Sequence, residues 1–299
     1  MVGAMLLFLN FILIVLLQLV ISSFILPMPF SDTGTVRYRT LPYITILLII
    51  TNSLIFIALQ APNLYQGFAA MDEGDYANGY KMLSDYVQQV WTYGFRTSYM
   101  RWGLSIGGFT TFTSMFMHAD MWHLLGNMIF LWTFGRRVED ACGPWRYLMF
   151  YLLAGMVANL GSGLLNPSEL DRPSIGASGA IAGVMGAYLL LFPGAQVNCL
   201  WGLGSLIRWP IVVIAHVIGS PRNLREAPMW RWTVRIPAWT FLFYFLIREL
   251  LPSFEVIQQG KELSGVNNLA HLMGFLAALT IVLFARKDLV MRFFSGRTV

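Results

Sequence analysis

The sequence predicts an all-α fold, a polytopic membrane helix bundle, and three observations carry that prediction. Of the 299 residues, 57% are hydrophobic and 12% charged, against roughly 45–50% and about 25% in soluble chains. The apolar residues gather in runs near the length a helix needs to cross a bilayer, about 20 residues, because irregular backbone finds no water to bond in the hydrocarbon core. Lys and Arg fall singly or in pairs between those runs and concentrate in alternate loops, as membrane topology demands.

Seven segments qualify or nearly do, at approximately 5 to 27, 42 to 60, 121 to 134, 147 to 165, 176 to 193, 237 to 251 and 266 to 285. The third and sixth are short, which tilt, local thinning of the bilayer or longer helices would accommodate. The first has no Lys or Arg before it and exceeds a signal-peptide core, so it is read as a retained helix. With the N-terminus outside, fourteen basic residues face inside, among them Arg136, Arg137, Arg146, Arg231 and Arg235. Only five, Lys81, Arg96, Arg101, Arg172 and Lys261, then lie in outer loops, and Arg248 sits near the outer end of the sixth span. The expected topology is therefore N-terminus outside and C-terminus inside.

The apolar stretch from Leu203 to Gly219 is broken by Arg208 and Pro210. Counting it as a span would turn the basic tail outward, so it is read as an amphipathic helix on the inner surface. The expected organisation is an extra N-terminal helix and linker (1–40), a helical core (41–285) and a basic tail (286–299). Within the core lie an outer loop at 61–108, read as a partly structured cap, and an inserted basic segment at 197–235. The net charge of +5 is scattered rather than patched, which argues for a lipid bilayer and against nucleic acid as partner. Cys142 and Cys199 lie beside basic inner segments, so no disulfide framework is expected.

Polar side chains inside spans are costly, and three clusters call for a reason. They are His118, Asp120, His123 and Asn127 in FMHADMWHLLGNM, Ser178 in IGASGAIAGVMGAY, and Asn267, Asn268 and His271 in GVNNLAHLMGF. Each opens a span running from outside to inside, so all three share one depth. A serine nucleophile needs a base for its proton and donors for the oxyanion. Ser178 and His271 supply the first pair; His123 and Asn127, four apart on one helix face, can supply the donors. Gly176 and Gly179 beside the serine let backbones approach, Gly179 with Gly183 forms a small-residue face, and Gly274 with Ala278 repeats it near His271.

Taken singly, each feature has an ordinary explanation. A membrane serine bonds back to its own helix, a lone histidine packs as a polar contact, and GxSG is frequent by chance. Their common depth makes coincidence a poor account. Asp120 is read as a helix N-cap and His118 as a loop brace. Arg248 and Glu249 are expected to snorkel to the headgroups. No HExxH motif, P-loop or GxGxxG turn occurs, and the four histidines and two cysteines make no plausible zinc set, so neither metal nor cofactor is expected.

With FMHADMWHLLGN, FGRRVEDACGPWRYLMFYLLAG, GASGAIAGVMGAY, IPAW and AHLMG in this order, the chain resembles the rhomboid family of intramembrane serine proteases from about Tyr43 to Phe284. The resemblance implies a six-helix rhomboid-like core, here with one extra N-terminal transmembrane helix. It implies a Ser178 and His271 dyad, an oxyanion hole from His123, Asn127 and the Ser178 amide, and transmembrane protein substrates without metal or cofactor. Family style points to a bacterial cytoplasmic membrane. Many members carry an aromatic residue four after the serine, stacked on the histidine, where this chain has Ala182; the Trp-Arg pair that some members have in the first outer loop is here Thr110 and Thr111. With no acid to orient it, His271 is expected to be held by packing alone. The alternative implied by the same family is a non-catalytic relative that binds and routes membrane clients, although such proteins usually lack the serine or the histidine.

Overall fold

A computed structural model describes residues 27–32, 41–102, 104–165, 172–203, 210, 213–214, 233–259 and 267–285. The expected first span, the surface helix at 203–219 and the basic tail lie almost entirely outside these residues. The described residues fall into two compact units. One carries a small sheet; the other carries the helices that build the site.

The sheet departs from the all-α expectation. Met28–Asp32 (β1), Gln196–Leu200 (β2) and Thr233–Pro237 (β3) form an antiparallel sheet in the order β1-β2-β3. The register of β1 against β2 shifts between Pro29 and Ser31, at an edge strand where a proline is tolerated. Val197 and Cys199 point to one buried face, and burial raises the Cys199 thiol to about 12, so it behaves as an apolar side chain.

In the helical unit, Tyr43–Ile55 (α1) runs through a π turn at Phe56–Gln60 into Ala61–Asp72 (α2). Pro62 lacks the N–H that would bond the Ala58 carbonyl, which accounts for the widened turn just before it. Together these make a helical stretch of 30 residues. Gly74, at φ 85°, turns the chain into Tyr76–Tyr93 (α3), which Asp75 caps. The expected outer cap is therefore a helical hairpin. Tyr86 and Tyr65 tie it to the loop before the next site helix, bonding Ala119 O at 2.8 Å and Met121 N at 3.1 Å.

Leu104–Thr113 (α4) leads to Met121–Phe130 (α5), whose first turn Asp120 caps by accepting the His123 N–H at 2.8 Å. A π turn at Leu131–Gly135 joins α5 to Arg136–Cys142 (α6), so the helix that begins at Met121 runs on to Cys142. Buried Glu139 of α6 accepts the N–H groups of Ile44 and Thr45 and the Thr45 hydroxyl, satisfying the open end of α1. Pro144–Leu165 (α7), Ser178–Leu191 (α8), Ala238–Gln259 (α9) and Asn268–Ala285 (α10) complete the unit. Pro252 lies inside α9.

Two helical stretches, Tyr43–Asp72 and Pro144–Leu165, are long and apolar enough to cross a membrane by length and composition, while α8 and the first fourteen residues of α10 are shorter apolar helices. Polarity runs opposite to that of a soluble bundle. On α1, Ile46, Leu47, Ile50 and Leu54 are exposed whereas Thr45 and Asn52 are fully buried. Residues Ala180 to Tyr188 of α8 are all buried, making it the central helix, with α7 and α10 packed against it.

Small residues allow that packing. A Cβ on Gly179 would meet Ala158 Cβ at 2.7 Å, one on Gly183 would meet Ala154 Cβ at 2.6 Å, and one on Gly274 would collide with the Gly179 carbonyl. Overpacking a core costs about 1–3 kcal/mol when side chains can give way, and a backbone carbonyl cannot. Gly274→Val is therefore expected to destabilise the protein by about 3 kcal/mol or more in an SDS unfolding titration. Gly108→Ala, where nothing lies within 4 Å, should leave the midpoint unchanged or raise it. A wild-type midpoint for Gly274→Val would show that the two helices do not need their close approach.

Candidate active site

Ser178 is the first residue of α8, and the loop before it is tightly fixed. Ser174 and Phe95 exchange backbone hydrogen bonds at 2.7 and 3.0 Å, and the Gly176 N–H bonds Ser114 O at 2.8 Å. Gly176 itself has φ 127°, and a Cβ there would approach His123 Nε2 to 2.8 Å. Both facts require glycine. The backbone N–H groups of Ser178, Gly179 and Ala180 at the start of α8 have no carbonyl within the helix to bond, whereas that of Ile181 bonds Ala177 O at 3.0 Å.

His271 sits one turn into α10, whose start Asn267 caps by accepting the Ala270 N–H at 2.9 Å. Asn267 also donates to Ser174 Oγ at 3.1 Å, joining that cap to the loop before Ser178. His271 Nε2 lies 2.7 Å from Ser178 Oγ. The serine hydroxyl is thus within reach of a ring nitrogen that can accept its proton.

The other ring nitrogen overturns two expectations. His271 Nδ1 lies 3.0 Å from Glu249 Oε2, and Glu249 is fully buried. It does not snorkel, and His271 is not held by packing alone. Asn268 donates to the same oxygen at 2.6 Å, while Arg248, with its side chain 52% exposed, bonds Oε1 at 3.1 Å. A buried carboxylate is costly unless several donors surround it, and here each oxygen has partners. Phe245, one turn before Glu249, places its ring 6.3 Å from that of His271.

The expected oxyanion donors face the same space. His123 Nδ1 accepts the Ala119 N–H at 3.4 Å, which leaves the proton on Nε2 near Gly176. Asn127, one turn further along α5, has its side-chain nitrogen buried with no hydrogen-bond partner among the described residues. Ser178, His271, His123 and Asn127 line one cavity of about 550 Å³, whose apolar wall includes Phe130 and Met185. Asn159 of α7 also borders it and donates to Thr111 O at 3.1 Å and Ser114 Oγ at 2.9 Å, holding the side chain of the residue whose carbonyl accepts the Gly176 N–H. Sequence reasoning missed Asn159, although an asparagine in the middle of an apolar span was a signal. No group of three or more His, Cys, Asp or Glu residues able to hold a metal ion occurs among the described residues.

Residues 107–288 match the profile of the Rhomboid domain, more than half of the chain. The chain belongs to the rhomboid family. This rhomboid is 37% identical over 87 residues to Rhomboid protein 1, mitochondrial, of Saccharomyces cerevisiae, covering 28% of this chain and 25% of that protein. It is 36% identical over 107 residues to Rhomboid protease GluP of Bacillus subtilis, covering 36% and 20%. Over 177 residues it is 28% identical to Rhomboid-like protease 3 of Toxoplasma gondii, covering 59% and 51%. These matched stretches span about half of those relatives' lengths or less. Relatives named as proteases, on a family integral to membranes, make intramembrane proteolysis the family-level activity.

His118 supports the site from the loop ahead of α5, outside the spanning segments. Its backbone exchanges hydrogen bonds with the Gln60 side chain at 2.8 and 3.0 Å, and its ring packs edge-on to His123 at 5.2 Å. Burial, with the neighbouring His123 adding to it, lowers the His118 imidazole from 6.5 to about 3. The unfolded chain binds a proton there that the folded protein does not, so stability from neutral His118 is complete above about 6.5 and is lost as pH falls toward about 3. His118→Gln cannot titrate. Thermal unfolding in detergent between pH 7 and pH 4 should therefore show a shallower acid loss in this variant than in wild type; equal slopes would exclude His118 as a contributor.

Proposed function

We propose that this rhomboid hydrolyses peptide bonds in or beside transmembrane helices of membrane proteins, with Ser178 as nucleophile and His271 as general base. The observation that carries the reading is the 2.7 Å contact between Ser178 Oγ and His271 Nε2 inside a cavity that also holds unused donors. Ser178 Oγ attacks the scissile carbonyl as His271 Nε2 takes its proton. The oxyanion is met by the Ser178 N–H, His123 Nε2–H and Asn127 side-chain N–H. His271 then gives the proton to the leaving amine, and water hydrolyses the acyl ester by the same steps in reverse order.

Depth and topology belong to the same proposal. The chain is read as a multi-pass protein with its N-terminus outside and C-terminus inside, a core at 41–285, an N-terminal helix at 1–40, a basic insertion at 197–235 and a basic tail at 286–299. α8 has 14 residues, about 21 Å of helix against about 30 Å of hydrocarbon. That shortfall supports reading Ser178 as lying below the outer surface. A helical substrate hides its carbonyls in backbone hydrogen bonds, so segments carrying Gly, Ser or Pro near the outer face should unwind and be cut most readily. The alternative, a client-binding protein without catalysis, has no use for a hydrogen-bonded serine and histidine aimed at free donors.

Purified protein should cut a generic transmembrane segment near its outer end, as mass spectrometry of the products would map. Ser178→Ala or His271→Ala should each abolish turnover while the protein stays folded, because members of one nucleophile and base pair fail together. Unchanged turnover in either variant overturns the assignment. For the oxyanion, Asn127→Ala should lower kcat by about 10²- to 10³-fold. Wild-type kinetics in that variant would mean that Asn127 only ties helices together.

A further inference from the structure

We infer that Glu249 is a positioning residue for the reaction, holding His271 in the tautomer and orientation that leaves the Nε2 lone pair facing Ser178. The inference deepens the protease reading and rests on it. An ionised carboxylate only accepts hydrogen bonds, so a ring nitrogen 3.0 Å from Glu249 Oε2 must carry the proton. Imidazole has one such proton when neutral. Nδ1–H therefore leaves Nε2 unprotonated, 2.7 Å from the serine hydroxyl. When His271 takes the Ser178 proton, the charge that forms on the ring lies against the same carboxylate, as in a Ser-His-acid triad.

The donors around Glu249 are arranged for this. Arg248 and Asn268 account for both carboxylate oxygens, so the acid stays ionised without drawing on His271 as its sole partner. Ser253 Oγ donates to the Glu249 carbonyl at 2.7 Å, one turn further along α9. Phe245 and Glu249 are four residues apart, so α9 presents an aromatic ring and an acid to His271 from one face. α9 thus supplies both the aromatic contact absent at Ala182 and an acid.

A purely structural tie between α9 and α10 would use the same contacts, so the test must read the histidine itself. Glu249→Gln keeps the shape but offers an amide N–H that can bond Nδ1 and leave the proton on Nε2, the wrong nitrogen. Its kcat should fall by about 10²- to 10⁴-fold with KM within about twofold, in line with replacing a triad acid by its amide. Glu249→Asp, which keeps the charge, should retain more activity than Glu249→Gln. Nitrogen NMR of histidine-labelled protein should assign the proton of His271 to Nδ1 in wild type and show that preference lost in Glu249→Leu, with thermal unfolding confirming that the variants are folded. Wild-type kcat in Glu249→Gln, or an unchanged His271 spectrum in Glu249→Leu, overturns the inference. Should wild type not cleave at all, the protease reading fails separately, and the spectrum alone decides whether Glu249 sets the tautomer.

Discussion

A methyl group on Gly274 would strike the carbonyl of Gly179, and the rest of the site depends on that missing methyl. Because α8 and α10 run with backbones nearly touching, a short serine on one reaches a histidine on the other without either leaving its helix. Ser178 lies one residue before Gly179, and His271 lies three before Gly274, about one turn away. The two contacts are parts of one seam, with Ala158 of α7 closing it from the side. In lipid, where apolar burial gives helices little reason to associate, such backbone proximity is the available source of cohesion. The placement of Ser178 against His271 is thus a by-product of what holds the bundle together.

A second device spends polar side chains on open helix ends. Glu139 closes the start of α1, Asp120 that of α5 and Asn267 that of α10. Two of them also fix a neighbouring part of the site, Asn267 through Ser174 and Asp120 through the His123 backbone. Unpaired backbone N–H groups cost far more where water is scarce. The start of α8 at Ser178, beside the cavity, has no such side-chain cap.

The proposed dyad was legible because its residues are polar exceptions at the starts of apolar segments. Ser178, His271, His123 and Asn127 were all found that way, and all border one cavity. Glu249 was visible but misread. Beside Arg248 near a span's end it matched a snorkelling pair, and only the rotation of α9 about its axis, which depends on tertiary packing, turned it inward against His271. The sheet was hidden for another reason. Its strands come from residues around 30, 198 and 235, and short strands with a distant partner carry no local sign of their pairing. The helical hairpin of α2 and α3 lay in a segment whose polarity suggested a loop, although Gly74 after an acidic pair marked its turn.

Pro252 stands three residues beyond Glu249 within α9. It has no N–H to return to the Arg248 carbonyl, so the turn bearing the acid lacks a backbone bond that every other turn of an unbroken helix would have. Curvature in α9 is therefore least resisted close to the place where Glu249 meets His271. A helix with such a soft point answers to its surroundings: bilayer thickness, tilt or a neighbouring helix can flex it at low cost. Bending at Pro252 would change the reach of Glu249 toward His271, from a helix that carries neither His271 nor Ser178.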